Sequence, residues 1–211
     1  MYNHCSKCES FRPDRDIDPA GPYAICPVCG DKQEFVYAPL LIVSGAGGTG
    51  KSTICRTLVG KCGRAILLEG DILWSDEYYQ ADATQRFLES VLRMAMNVSQ
   101  SGFPVVLFGA GFGVPSNITS CVESRYFSSF HYLALTCERS TLEKRLSLRP
   151  SWRSTSQGER LNAQLEYNDW FRLRAPAMGF QMDFIDTTEE SPKNTANSVR
   201  EWISKMINEY F

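Results

Sequence analysis

The sequence has no segment that resembles a signal peptide or a membrane-spanning element. No positively charged N-terminal region precedes an apolar stretch, and no apolar run approaches the roughly 18 residues needed to cross a bilayer. The chain also has little excess charge, with a net charge of −2, and it contains no internal repeat or low-complexity segment. We therefore expect a soluble, cytoplasmic protein without a membrane partner. The charge balance argues against a surface that binds nucleic acid by charge alone.

A disulfide framework is also not expected. Of the eight cysteines, four are scattered through predicted helices and strands: Cys55, Cys62, Cys121 and Cys137. In a reducing cytosol these are most simply core or surface thiols. The length of 211 residues, with 43% hydrophobic residues, suits one α/β domain with a small appendage.

The other four cysteines form two CxxC pairs near the N-terminus. They are Cys5, Cys8, Cys26 and Cys29. The pairs are 17 residues apart, and Gly30 follows the second pair. Each pair can place two thiolates on one tetrahedral ion, so the spacing predicts a structural Zn²⁺ ribbon with no open position for catalysis. Two redox pairs, or unpaired thiols, are the alternative. Residues 1–38 are predicted to form this ribbon and residues 39–211 the second domain.

A glycine-rich segment follows the apolar run 40–44. It matches G-x-x-x-x-G-K-[ST] over residues 45–52, and residues 52–59 have the pattern of a helix start. A strand, a glycine-rich loop and a helix N-terminus together make a cradle of backbone N–H groups for phosphate, in which Lys51 reaches the β- and γ-phosphates and Ser52 binds Mg²⁺. The alternative is a chance glycine-rich turn. The predicted nucleotide-binding residues are Gly45, Ala46, Gly47, Gly48, Thr49, Gly50, Lys51, Ser52 and Thr53.

Short apolar runs alternate with helical patterns along the rest of the chain. The runs predict strands at 40–44, 65–69, 104–109, 131–135 and 182–186. Helical spacing predicts helices at 84–99, 138–148 and 157–175, and a last helix that Ser191 caps and Pro192 begins. Such alternation is typical of a parallel sheet covered on both faces, so the predicted fold class is an α/β P-loop sandwich.

An acidic residue follows the second predicted strand of this sheet. Asp71 comes two residues after Glu69, at the C-terminal end of the run 65–69. Because these strand ends border the ligand crevice, we expect Asp71 beside the phosphate loop, where a carboxylate can orient an attacking hydroxyl and accept its proton. The alternative is an ordinary helix N-cap. Glu69 could hold a water on Mg²⁺.

Arginines recur at one-turn spacing in the predicted helix 138–148 and its exit. Arg145, Arg149 and Arg153 would line one side of this helix and the loop after it. Planar guanidinium groups stabilise the charge that spreads over a transferring phosphoryl group. The alternative is a solvated basic face.

Four segments together resemble the small P-loop kinases, which include nucleoside monophosphate kinases, shikimate and gluconate kinases and the zeta-toxin-like group. In sequence order they are GAGGTGKS, LEGDILW, LEKRLSLRP and FIDTT. The resemblance covers about residues 39–207 and is greatest to bacterial nucleoside kinases or AAA-type ATPases of the zeta-toxin-like kind. It implies ATP and Mg²⁺ as cofactors, a sheet with strand order 2-3-1-4-5, and a lid at about residues 149–160.

The resemblance also implies roles for individual residues. Arg145 is similar to the arginine that stacks on adenine, and Arg149 to the one that touches the transferring phosphate. Asp71 matches the acid that binds the acceptor hydroxyl, whereas Thr187 and Thr188 match a pair beside adenine. The third strand departs from many P-loop enzymes because no Asp ends it. Mg²⁺ must then depend on Ser52, the phosphates and water, with Glu69 or Asp71 as further candidates.

The acid at position 71 favours an alcohol as the acceptor of the phosphate. An alcohol gains from a neighbouring carboxylate, which would repel an anionic monophosphate. We therefore expect a small-molecule acceptor such as a nucleoside, a sugar-like metabolite or an antibiotic, with the nucleoside favoured. Trp74 and Phe112, with Tyr78 and Tyr79, could stack on its ring; the alternative is that they are core or surface aromatics.

Two other functions remain open from the sequence. Arg86, Arg93 and Arg125 could clamp a phosphate, as a nucleoside monophosphate kinase requires, although exposed helix arginines are the commoner explanation. A different class is a nucleotide-dependent switch, or a nucleic-acid-binding module that uses the zinc ribbon. The sequence indicates no particular oligomeric state.

Overall fold

The computed structural model describes residues 4–79, 81–150 and 155–210, which contain two β-sheets. The strands are β1 (Asp16–Asp18), β2 (Tyr23–Ile25), β3 (Lys32–Glu34), β4 (Leu40–Ser44), β5 (Ile66–Glu69), β6 (Val105–Phe108), β7 (Phe130–Thr136) and β8 (Met182–Asp186). The α-helices are α1 (Lys51–Thr57), α2 (Ala81–Ser99), α3 (Pro115–Thr119), α4 (Arg139–Ser147), α5 (Gly158–Asp169), α6 (Ala175–Ala177) and α7 (Pro192–Tyr210). Among these described residues, no helix is both long and apolar enough to cross a membrane.

The larger sheet has five parallel strands in the order β5-β6-β4-β7-β8. Counted along this sheet alone, the order is 2-3-1-4-5, which confirms the predicted α/β P-loop sandwich. The central strand β4 is buried along its whole length. Such a strand has apolar side chains on both faces because helices cover both faces of a parallel sheet.

Helices cover the two faces of this sheet with separate hydrophobic clusters. Leu40 and Ile42 of β4 belong to the cluster that contains α2, whereas Leu41 and Val43 belong to the cluster that contains α1 and α7. This alternation follows from the period of two along a strand. The predicted start of α7 is confirmed, since the Ser191 hydroxyl accepts a hydrogen bond of 3.2 Å from the N–H of Asn194.

The helix predicted at 157–175 is not one regular α-helix. It runs as α5, then as a π-helical turn at Trp170–Arg174, and then as the short α6. Pro176 has no N–H with which to continue the α-helical hydrogen bonds, and the wider turn lies directly before it. Sequence periodicity alone does not distinguish such a turn from regular helix.

The smaller sheet is antiparallel, in the order β1-β2-β3, and lies in the segment that carries the two CxxC pairs. The predicted domain boundary after residue 38 falls between β3 and β4. Ala24 and Phe35 of this segment are buried in the same cluster as the residues of α2. The two sheets therefore share part of one hydrophobic core.

Candidate functional site

The glycine-rich loop between β4 and α1 depends on backbone conformations that favour glycine. Gly45, Gly48 and Gly50 have φ angles of 139°, 96° and 106°. A Cβ atom on Gly45 would lie 2.2 Å from the carbonyl oxygen of Leu135, so this position also lacks space for a side chain. Inside the loop, the Thr49 hydroxyl donates to the carbonyl oxygen of Ala46 at 2.9 Å.

Lys51 lies folded over this loop and is only 7% exposed. Its Nζ donates to the carbonyl oxygens of Gly45 at 2.7 Å and Ala46 at 2.9 Å. Burial lowers the pKa of Lys51 to about 8, which the negative charge of Asp71 opposes and the positive charge of Arg149 reinforces. The charges of Asp71 and Arg149 thus both act on the lysine of the loop. Ser52 and Thr53 follow in the first turn of α1.

Asp71 lies at the carboxyl end of β5, where the chain turns into a short 3₁₀-helix at Gly70–Leu73. Its side chain is exposed, and its negative charge opposes the lowering of the Lys51 pKa by burial. Glu69, at the end of β5, is half-buried and acts on Lys51 in the same direction. The structure therefore places Asp71 and Glu69 close enough to Lys51 for their charges to act on its ammonium group.

The predicted adenine-side residues are also in contact with one another. Arg145 donates from Nη2 to the carbonyl oxygen of Thr187 at 2.6 Å and from Nη1 to its hydroxyl at 3.0 Å. The Thr188 hydroxyl accepts a hydrogen bond of 2.8 Å from the N–H of Glu138, immediately before α4. These contacts join α4 to the loop after β8, beside the phosphate loop.

Arg149 reaches over the phosphate loop from the end of α4. Its Nη1 lies 3.6 Å from the position that a Cβ on Gly47 would occupy and donates to the Thr155 hydroxyl at 3.1 Å. The third arginine of the predicted series, Arg153, lies outside the described residues.

Helix α5 supplies contacts that the sequence analysis missed. The Gln164 side-chain oxygen accepts a hydrogen bond of 2.5 Å from the N–H of Gly47. Asn168 accepts from the N–H of Cys137 at 3.1 Å and donates to its carbonyl oxygen at 2.7 Å, which fixes α5 to the end of β7. One signal was available in the sequence: Asn168 continues the helical spacing of Leu161 and Leu165, so a polar residue interrupts an apolar stripe.

The two predicted acceptor-stacking aromatics have different surroundings. Trp74 is 37% exposed and packs edge-on against Phe87 of α2, with ring centroids 5.0 Å apart. Phe112 is fully buried in the core and also packs against Phe87, at 5.8 Å. The assignment of Phe112 as a substrate-stacking residue is wrong in this structure, because its ring has no surface to offer a ligand.

Arg93 and Arg125, which were considered as parts of a phosphate clamp, have structural partners. Arg93 donates to one carboxylate oxygen of buried Glu123 from Nε at 2.9 Å and Nη2 at 2.5 Å. Arg125 donates to the carbonyl oxygen of Arg15 at 3.1 Å. Both side chains thus take part in contacts within the protein.

The four N-terminal cysteines converge in the structure. Their sulfur atoms all lie within 4.8 Å of one another, with 3.6 Å between Cys5 and Cys29 and 3.7 Å between Cys8 and Cys26. In a tetrahedral site with Zn–S bonds of about 2.3 Å the sulfurs lie about 3.8 Å apart. The donor set therefore fits Zn²⁺.

The two CxxC turns have the same backbone hydrogen bonds. Cys5 N–H donates to the carbonyl oxygen of Ser10 at 3.0 Å, and Cys26 N–H donates to that of Asp31 at 2.9 Å. The residue after each pair has a positive φ, 59° at Glu9 and 72° at Gly30. Two equivalent knuckles facing each other are the arrangement that a four-thiolate metal site requires.

No sequence profile of a protein family matches this chain, and a search of curated proteins finds no relative. Solved structures with similar folds include a sugar kinase from Janibacter sp. HTCC2649, with a TM-score of 0.60 and 16% identity over 79% of this chain and 95% of that chain. A gluconokinase from Sinorhizobium meliloti 1021 has a TM-score of 0.58 and 17% identity over 82% of this chain and 95% of its own. A shikimate kinase from Acinetobacter baumannii, solved with shikimate, has a TM-score of 0.55 and 19% identity over 80% and 94%, respectively. The chain therefore has the fold of the P-loop kinases.

Proposed function

We propose that this protein is an ATP-dependent kinase that transfers the γ-phosphate to a hydroxyl group of a small molecule. The observation that carries the proposal is that Asp71, just after β5, acts electrostatically on Lys51, which begins α1 after the phosphate loop. A P-loop that only binds and hydrolyses ATP does not need an exposed acid at the end of β5. A kinase does, because the acceptor hydroxyl must be oriented and must lose its proton as the new bond forms.

The remaining site residues fit ATP in consistent roles. The backbone N–H groups of residues 45–52 would hold the phosphates, and Lys51 would leave the loop carbonyls to pair with the β- and γ-phosphates. Arg149 would stabilise the transferring phosphate, whereas Arg145, Thr187 and Thr188 would form the adenine side. Ser52 would hold Mg²⁺ together with the phosphates, and Mg²⁺ neutralises charge that develops during transfer.

The surroundings of the arginines favour an alcohol over a monophosphate as the acceptor. Arg93 and Arg125 take part in structural contacts, which favours a structural role for them over a phosphate clamp. The similar structures are named as a sugar kinase, a gluconokinase and a shikimate kinase, all for acceptors that carry hydroxyl groups. A nucleoside remains the acceptor predicted from the sequence, and the partly exposed ring of Trp74 could stack on its base.

We also propose that the four N-terminal cysteines hold one Zn²⁺ ion. All four tetrahedral positions would be filled by thiolates, so this ion would stabilise the fold and take no part in phosphate transfer.

A screen of acceptors tests the kinase proposal. The purified protein is incubated with ATP and Mg²⁺ and with nucleosides, nucleoside monophosphates, sugars, sugar acids and single-stranded nucleic acid, and ADP release is measured. We expect a nucleoside, a sugar or a sugar acid to accelerate ADP release. Mass spectrometry should then detect the phosphorylated acceptor. If only a nucleoside monophosphate accelerates ADP release, the protein is a nucleoside monophosphate kinase and the alcohol acceptor is wrong. Slow hydrolysis of ATP that no acceptor accelerates would indicate a nucleotide switch.

A further inference from the structure

The cysteine-bearing segment, residues 4–36, is joined to Tyr126 and to the end of α2 by hydrogen bonds as well as by the linker. Tyr126 donates its hydroxyl to the carbonyl oxygen of Pro13 at 2.8 Å. Gln100, just after α2, accepts from the N–H of Val36 at 2.7 Å and donates to its carbonyl oxygen at 3.2 Å. With the shared hydrophobic core described above, these contacts give the segment a fixed position on the helix.

A buried arginine, Arg15, is linked by hydrogen bonds to the first cysteine pair. Arg15 is only 1% exposed and donates to the side-chain oxygen of Gln33. Gln33 in turn donates to the hydroxyl of Ser6 at 2.9 Å, and Ser6 lies between Cys5 and Cys8. The first cysteine knuckle is thus connected by two hydrogen bonds to a buried cation.

A buried acid three residues before Tyr126 pairs with a residue of α2. Glu123 is 1% exposed and binds Arg93 of α2 through its Oε1. Among the described residues, Nε of Arg15 and Oε2 of Glu123 are buried without a hydrogen-bond partner. Both charges act on the phenol of Tyr126, the positive one lowering its pKa and the negative one raising it, although burial dominates and raises that pKa to about 12. Buried charges that lack full pairing are costly, so the packing around them must hold them in place.

The segment that contains Asp71 packs against helix α2. Phe87 of α2 packs edge-on against Trp74, with centroids 5.0 Å apart. A Cβ on Gly70 would lie 3.4 Å from Val91 of α2 and 2.7 Å from Phe112. Residues on both sides of Asp71, the Gly70 backbone and the Trp74 ring, therefore lie against this helix or its core.

We propose that the metal-loaded cysteine segment is a brace for α2 and thereby positions Asp71, with Arg15 as the positioning residue that connects the two. The relevance to catalysis rests on the proposed function of Asp71. The structural part of the proposal does not rest on that function. It states only that metal binding to the cysteines stabilises residues 70–78 and 83–99 at a distance.

Amide hydrogen exchange on the full chain tests the connection without an acceptor. Metal is removed with a zinc-selective chelator while Mg²⁺ is retained, and exchange is followed by mass spectrometry. We expect exchange to accelerate at least about tenfold in residues 70–78 and 83–99 as well as in 4–36, with no change in residues 40–57. Acceleration confined to residues 4–36 would overturn the proposal, as would uniform acceleration of the whole chain.

Variants of Arg15 test its role while the metal stays bound. Arg15→Met is expected to accelerate exchange in residues 70–78 and 83–99 about tenfold with unchanged affinity for ATP, and Arg15→Lys to restore most of the protection. Arg12→Met is the control, since Arg12 is an exposed arginine of the same segment whose side chain donates to Asp14, at 2.8 Å and 2.5 Å. If Arg15→Met behaves like Arg12→Met, Arg15 is not the connection. If Arg15→Met does not fold, the chelation experiment alone decides whether the brace exists. Because exchange needs no phosphate transfer, a failed acceptor screen leaves this test unchanged.

Discussion

Arg145 binds both the carbonyl oxygen and the hydroxyl of Thr187, at 2.6 Å and 3.0 Å, although the two residues are 42 positions apart. The contacts fix the edge of the guanidinium against the loop after β8. A guanidinium fixed by its edge can present its planar face to an aromatic ring, which is the arrangement that stacking on adenine requires.

Replacement of Arg145 by methionine should weaken ATP binding. We expect the Kd for ATP to rise about tenfold, because a stacking cation–π contact contributes about 1–2 kcal/mol when it is desolvated. Isothermal titration calorimetry measures the change. Arg139→Met, on the same helix, is the control, since Arg139 is exposed and pairs with Asp169. Equal effects of the two substitutions would show that Arg145 does not contact the nucleotide.

Substitution of Gly45 by alanine should damage the phosphate loop more than backbone strain alone would. Gly45 and Gly60 both have positive φ, 139° and 71°, but only at Gly45 would the new Cβ collide with a backbone oxygen, 2.2 Å away at Leu135. We expect Gly60→Ala to lower the free energy of unfolding by about 1 kcal/mol, and Gly45→Ala to lower it by more than about 3 kcal/mol and to weaken ATP binding. Urea denaturation and calorimetry check this, and similar losses in the two variants would contradict it.

The low pKa of Lys51 predicts a pH-dependent affinity for ATP. Burial lowers this pKa to about 8 in the nucleotide-free protein, and pairing with the phosphates should raise it. Binding must then take up protons, and the affinity should fall as the pH rises above 8, by up to about tenfold per pH unit. Calorimetry in buffers of different ionisation enthalpy should give an uptake of about half a proton at pH 8 and about a tenth at pH 7. Affinity that is constant from pH 7 to 9, without proton uptake, would refute the prediction.

The cysteine cluster should contain one Zn²⁺ ion per chain. Cys29→Ser should lose the metal and lower the unfolding temperature, because three thiolates bind zinc more weakly than four and the metal contributes folding free energy. Inductively coupled plasma mass spectrometry gives the metal content. Cys62→Ser lies outside the cluster and should keep the metal. A metal-free wild-type protein, or a Cys29→Ser variant that retains zinc, would rule the site out.

The elements that local patterns specify could be predicted from the sequence. The central strands β4 and β6 of the large sheet appear as apolar runs because they are buried on both faces. The phosphate loop has a fixed spacing that its backbone geometry demands, with positive φ at Gly45, Gly48 and Gly50. The start of α7 follows from the hydroxyl of Ser191.

The contacts that depend on packing between distant segments could not be predicted. Gln164 accepts a hydrogen bond from the N–H of Gly47, 117 residues away in the sequence, and no local sequence pattern predicts such a pair. Phe112 lies between Gly111 and Gly113, a sequence typical of a loop, yet its ring is buried in the core beside Phe87. The pairing of Arg93 with a buried carboxylate likewise exists only in the folded chain.

The central claim is that Asp71 prepares an acceptor hydroxyl beside the ATP-bound loop. It is tested most directly by measuring transfer of the γ-phosphate from ATP to the best acceptor of the screen by Asp71→Asn, with Glu77→Gln as the exposed nearby control. The expected result is a fall in the transfer rate of about 10²–10⁴-fold for Asp71→Asn, with the Kd for ATP and the rate of the control within about twofold of the wild type. An undiminished transfer rate in Asp71→Asn would contradict the claim.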